Sequence, residues 1–211
     1  MKFFLALLLI GLTSQVTAQA KPHVEAQALQ ERSGAKTETI DEVFTWQALE
    51  GRFSQTLIDN TQGQRVESQG TFRILRPGYA EWLVGQPDQE AFYLSPEGLW
   101  HFDPWLEVAS FHAAEELDAA SAIALLSGDT AALRDDYDIS YSDGKFKLLS
   151  LDNESQVEWI ELSVAQNTIP SRMLIQTRLA RSLEIQFLEA RPADIHPSDL
   201  AFEPPAGIEI Q

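Results

Sequence analysis

Across residues 46–111 the apolar side chains recur at every second position in short runs, and each run halts at a cluster of turn formers. Phe53 and Leu57 share one face of the first run, which stops at Asp59-Asn60-Thr61-Gln62-Gly63. Val66, Ser68, Gly70, Phe72 and Ile74 mark one face of the return. Ala80, Trp82 and Val84 alternate up to Gly85-Gln86-Pro87-Asp88, and Phe92 and Leu94 up to Ser95-Pro96-Glu97-Gly98. Residues 99–102 end at Asp103-Pro104, and 106–111 complete the series. Successive side chains of a strand point to opposite faces, and strands parted by such turns predict an antiparallel meander.

One segment breaks the period. Leu117, Ala120, Ile123, Ala124 and Leu125 recur at near-helical spacing within 113–133, with Ser127-Gly128 as a stop. Ahead of the strands, Thr37 offers an N-cap and Ile40, Val43 and Phe44 fall at helical spacing. Beyond the insertion, strands are expected at 137–141, 145–151, 157–165, 171–177 and 182–189, and Leu200, Ala201 and Phe202 precede a Pro-rich end. About eleven strands with one or two helices cannot make a flat sheet covered on both faces. A curled sheet, closed or nearly so, with a helix over its mouth resolves this.

Residues 1–20, MKFFLALLLIGLTSQVTAQA, read as a cleaved signal peptide: one lysine, an apolar run over 3–12, and Ala18-Gln19-Ala20 as a small-x-small cleavage site, with Val16-Thr17-Ala18 as the neighbouring choice. That run is too short to span a bilayer as a helix. Residues 21–211 then form a single domain, opening on a polar and weakly patterned stretch over 21–36. The chain holds no cysteine, which excludes disulfides, thiolate ligands, a Cys nucleophile and N-terminal lipidation. Export without disulfides points to a bacterial periplasm. The formal net charge is -17, and loss of Lys2 with the leader makes it -17 - 1 = -18. So acidic a chain is a poor electrostatic partner for nucleic acid or for an anionic membrane surface.

No catalytic constellation emerges, and no enzymatic role is expected. His23, His101, His112 and His196 lie far apart without metal-ligand spacing, and no nucleophile elbow, P-loop or dinucleotide fingerprint is present. Aromatic residues instead occur on nearly every expected element, Trp46, Phe53, Trp105, Phe111, Phe146, Trp159 and Phe187 among them. They serve an apolar core, and a barrel of eight or more strands has room for a ligand besides.

The order of motifs resembles the LolA family of periplasmic lipoprotein carriers. The landmarks are GRFSQTL at 51–57, QGTFRILRPGYAEW at 69–82, EGLWHFDPWLE at 97–107, SAIALLSG at 121–128 and FEPPAGIEI at 202–210. The missing cysteine distinguishes the chain from LolB, the outer-membrane acceptor of the same fold, which is a lipoprotein. The resemblance implies an unclosed, half-barrel antiparallel sheet with a lid of short α-helices, holding acyl chains on its concave side. It implies no cofactor, no metal and no nucleotide on a monomeric carrier. Its implied partners are acylated lipoproteins, an inner-membrane ABC transporter that releases them, and an outer-membrane acceptor of the LolB type. A specialised carrier of fatty acid or glycolipid is the alternative that the same fold allows.

Site residues follow from the same resemblance. Phe72, Ile74, Tyr79, Trp82, Phe92, Trp100 and Phe102 are expected to line the lipid cavity, and Leu117, Ile123, Leu125 and Leu126 to form the inner side of the lid helix. Arg76 stands between Leu75 and Pro77-Gly78. On pattern alone it is either a solvated turn charge or a donor aimed inward. It falls on the arginine of the family's R-P motif, which implies a latch to carbonyls of the lid helices. Five donors in a rigid fork suit that role. The position two before Trp82, a large aromatic in much of the family, is Ala80 here.

Overall fold

A computed structural model describes residues 39–87, 89–114, 117, 122–128, 130–165 and 168–211. The leader, the 21–36 stretch and the Thr37 cap lie outside the described residues. The short helix α1, Ile40–Val43, instead takes Thr39 as its N-cap, and the Glu42 side chain accepts from the Thr39 amide.

Six strands follow: β1 (Ala48–Asp59), β2 (Gln64–Leu75), β3 (Tyr79–Val84), β4 (Ala91–Ser95), β5 (Gly98–Asp103) and β6 (Val108–Ala113). Helices α2 (Ala122–Ser127) and α3 (Thr130–Asp136) come next. Five more strands complete the main run: β7 (Tyr137–Ser142), β8 (Lys145–Ser150), β9 (Val157–Val164), β10 (Pro170–Thr177) and β11 (Arg181–Pro192). A two-residue strand β12, Glu209–Ile210, ends the chain. All twelve strands form one sheet in the order β12-β6-β5-β4-β3-β2-β1-β11-β10-β9-β8-β7. The two ends of that order do not pair, so the sheet is an open half-barrel.

Three expectations need correcting. The helical stretch over 113–133 is not one helix, because α2 ends at Ser127 and α3 begins at Thr130. Leu117 belongs to neither helix and sits at an isolated bridge, half-buried against the core. Apolar spacing cannot separate a helical turn from a crossing segment that buries one leucine. The FEPPAGIEI landmark at 202–210 holds only the two-residue strand β12, which departs from the antiparallel expectation by pairing parallel to β6, with Glu209 opposite Val108.

Alternation decides which side chains meet. In β3, Ala80, Trp82 and Val84 are buried while Tyr79, Glu81 and Leu83 are half-exposed on the other face. The inner face carries the main core, in which Phe53, Phe72, Trp82, Phe92, Phe146 and Met173 pack together with Leu125 and Leu126 of α2. The outer face carries a second, smaller cluster of Ala48, Leu75, Ile195 and Leu200. The C-terminal segment is fastened to that outer face. Arg73 donates to the Asp199 carbonyl at 2.8 Å and forks onto Glu81 at 2.8 and 2.9 Å, while Phe202 stacks on Tyr93 at 4.3 Å.

Two glycines on the inner face have no room for a side chain. A Cβ on Gly70 would lie 2.0 Å from the Leu83 carbonyl oxygen and 2.4 Å from the Phe53 ring. One on Gly51 would lie 2.9 Å from Ala190 Cα and 3.0 Å from the Phe72 ring. Both absences let aromatic rings lie flat against the backbone.

Candidate functional site

The turn after β2 grips the end of α2. Gly78, in the left-handed region at φ 84, donates its amide to the Ser127 carbonyl at 2.8 Å. Arg76 donates to the next carbonyl, Gly128, through Nη2 at 2.6 Å and Nε at 3.2 Å. Its Nη1 donates to the Phe44 carbonyl at 2.8 Å, which belongs to the C-cap residue of α1. The last carbonyls of a helix lack intrahelical partners and carry partial negative charge, so a guanidinium there satisfies both needs. The guanidinium also lies over the rings of Phe44, at 4.6 Å, and Trp46, at 5.4 Å. One side chain thus bridges two helices and the sheet. The ends of α1 and α3 are joined as well, by an ion pair between Asp41 and Arg134. That bond, followed by one from the Thr130 hydroxyl, holds the Asp41 carboxyl below its ordinary value.

Beneath these helices the inner face presents a row of rings across neighbouring strands. Strand register sets Gly51 opposite Phe72, Phe72 opposite Trp82, Trp82 opposite Phe92, Phe92 opposite His101, and His101 opposite Ser110. Phe53 stacks on Trp82 at 4.1 Å, and Phe187 meets Phe72 edge-on at 5.5 Å. The α2 side chains Ile123, Leu125 and Leu126 are 6, 0 and 0% exposed and enter this same cluster.

The seven residues expected to line the cavity divide between two faces. Phe72, Ile74, Trp82 and Phe92 lie on the inner face within the main core. Tyr79 and Trp100 lie on the outer face, since each alternates with a buried neighbour, and Phe102, two positions beyond Trp100 on the same strand, shares that face. There Tyr79 and Trp100, with Tyr93, Phe111 and Phe202, line a groove of about 480 Å³ beside the C-terminal segment. Phe102 packs on Phe202 at 5.8 Å. Tyr79 therefore does not stand in for an aromatic at Ala80, which is fully buried on the opposite face. Among the lid positions, Ile123, Leu125 and Leu126 share the inner cluster, and Leu117 packs against it from outside any helix.

Two polar residues on the inner face were not among the expected site residues. Glu90, 6% exposed, stands two positions before Phe92, and His101 stacks on the Phe92 ring at 4.6 Å. Their facing atoms, Glu90 Oε2 and His101 Nε2, are 3.6 Å apart and neither has a hydrogen-bond partner. They stand eleven positions apart in the sequence, and the β4–β5 pairing, with Glu90 just ahead of β4, brings them together. Among the described residues no group of three His, Cys, Asp or Glu could hold a metal ion. No described helix is long and apolar enough to cross a membrane.

The molecule is thus an open, mainly β half-barrel, apolar on most of its inner face and covered there by short helices bonded to one arginine. The family model described as "Outer membrane lipoprotein carrier protein LolA" matches residues 45–203. The chain belongs to the LolA family. An outer-membrane lipoprotein carrier protein of Pseudomonas aeruginosa (strain PAO1) is 22% identical over 169 residues, 78% of this chain and 81% of its own length. One from Francisella tularensis (strain SCHU S4) is 21% identical over 178 residues, 83% and 87% of the two chains. Among solved structures, an uncharacterized conserved protein from Thermus thermophilus shares the fold at a TM-score of 0.51 and 9% identity, covering 82% of this chain and 96% of that one. A LolA superfamily protein from Nitrosomonas europaea aligns at a TM-score of 0.48 and 10% identity, over 77% and 94%.

Proposed function

We propose that this chain is a periplasmic, non-enzymatic carrier that shields the acyl chains of lipoproteins on its inner face and carries them from the inner membrane to an outer-membrane acceptor. The observation that supports it is the seating of the α2 leucines on the aromatic row, with Arg76 bonded to the carbonyl that follows α2. Each CH₂ group hidden from water contributes about 0.8 kcal/mol, so exposed acyl chains would cost on the order of tens of kcal/mol in the periplasm. Leu125 and Leu126 occupy the closed interior. An entering chain exchanges one hydrocarbon contact for another there, which keeps binding reversible. The latch sets how far the closed state is favoured, and cargo shifts the balance toward the open one.

The relatives' names speak only of lipoprotein carriage; a transporter that loads the carrier and an acceptor that unloads it are part of the proposal itself. Incubation of the mature protein with spheroplasts tests it. Newly made lipoprotein should appear in the soluble fraction bound to the protein. Absence of lipoprotein from that fraction, alongside tight binding of a free fatty acid, would instead identify a carrier of simpler lipids.

A further inference from the structure

A purely apolar acyl chain asks nothing of a carboxyl group, yet one stands buried beside the end of the aromatic row. From Phe72 the row runs through Trp82 and Phe92 to His101, then to Ser110 on β6, beside the open end of the sheet. Glu90 stands beside its polar end. Burial of an unpaired polar atom costs free energy that packing does not return, so a pair left unsatisfied on an apolar lining calls for a ligand group. The distance of 3.6 Å between Glu90 Oε2 and His101 Nε2 is too long for a hydrogen bond between them. One small group can reach both. A carboxylate oxygen only accepts, so that group must carry a hydrogen to donate.

Resting on the carrier reading above, we propose that Glu90 and His101 form a polar anchor for a hydrogen-bond-donating lipid group, a hydroxyl or an amide N–H, whose hydrocarbon chain lies along the aromatic row. An ester oxygen or a terminal methyl leaves Glu90 unpaired and is disfavoured. The anchor thereby reads the head of a chain whose length and apolarity the rings cannot distinguish. A site built to hydrogen-bond its ligand discriminates strongly against the analogue that lacks the donor.

The test compares tetradecan-1-ol and tetradecanamide with pentadecane, which replaces the hydroxyl by a methyl. Each displaces the apolar fluorophore N-phenyl-1-naphthylamine from the mature protein. Wild-type protein and the Glu90→Leu/His101→Leu double variant are compared as ratios of affinities, which cancels differences in aqueous solubility. His101→Phe, which keeps the ring on Phe92, guards against a folding defect in the double variant. The alcohol-to-alkane or amide-to-alkane ratio is expected to fall about ten-fold in the variants, with pentadecane binding retained. The ratio that falls identifies hydroxyl or amide as the group read. Equal ratios in wild type and variants, with all three ligands bound, overturn the anchor and leave the carrier reading standing. Failure of wild-type protein to bind any of the three overturns both.

Discussion

The ring of Phe53 lies across Gly70, occupying the space that a side chain at position 70 would fill. The ring atom nearest to a Cβ there would be only 2.4 Å away, and the Leu83 carbonyl oxygen only 2.0 Å. Phe53 pairs directly with Gly70 in the β1–β2 register and stacks on Trp82. Gly70→Ala should therefore push apart the strands that seat the aromatic row. A loss of roughly 1–3 kcal/mol is expected in urea denaturation. An unchanged midpoint would show that the strands have slack at this crossing.

Arg76→Leu removes the hydrogen bonds to Phe44 and Gly128 but leaves the sheet intact. Its effect should be local. Hydrogen bonds to charged groups contribute roughly 1.5–3 kcal/mol, so α2 amides should exchange on the order of 10–100-fold faster. Protection in β1, β2 and β11 should hardly change. Arg76→Lys should rescue little, because an ammonium cannot span two carbonyls as a planar fork does. Uniform exchange in wild type and variants would reduce Arg76 to a turn residue.

Four described carboxylates, Asp41, Asp59, Glu97 and Glu184, are held below their ordinary values and shape the acid limb of stability. Asp59 accepts from the Thr61 hydroxyl first, then from the Thr61 and Gln62 amides and Arg181; Glu184 is held mainly by Arg172, and Asp41 mainly by Arg134. Each is depressed in the folded state below its ordinary 3.8 or 4.5. The stability they contribute is thus fully present above that ordinary range and is lost as pH falls through the lower folded values. Urea midpoints should be level down to about pH 5 and then decline. Asp59→Asn should flatten that decline, and a slope identical to wild type would exclude Asp59 from it.

Phe202 is the outer-face counterpart of the inner row, stacked on Tyr93 and packed near Trp100 and Phe102. It is only half-buried, so Phe202→Ala should cost about 2 kcal/mol, less than the roughly 3–5 kcal/mol of a fully enclosed ring. The loosened C-terminal segment should be cut sooner by limited proteolysis, with the core surviving as one fragment. Cleavage at wild-type speed would mean that Arg73 and the Ile195–Leu200 cluster hold the segment without it.

Much of this architecture was legible in the chain. Alternation in 80–84 and the turn clusters around 59–63 and 95–98 mark strand faces and reversals that the sheet reproduces. The same alternation already set Trp100 and Phe102 opposite Leu99, yet a shared aromatic character grouped them with Phe92 as cavity lining. Faces, not residue types, decide membership. The direction of Arg76 was open on pattern alone for another reason: its acceptors are carbonyls, which carry no sequence signature, and only the resemblance to the family's R-P motif pointed it inward. Glu90 went unnoticed and His101 was noted only as an isolated histidine, because the meaning of the pair lies in its spacing across two strands. The parallel pairing of β12 depends on how the preceding segment crosses the outer face, and two residues are too few to show a period.

The sheet order carries a mechanical consequence for the helices. β7 lies at one end of the order and β6, fringed by β12, at the other, while α2 and α3 sit in the chain that joins β6 to β7. The helices are therefore strung from rim to rim, like a strap over an open trough, and are not hung from one side like a flap.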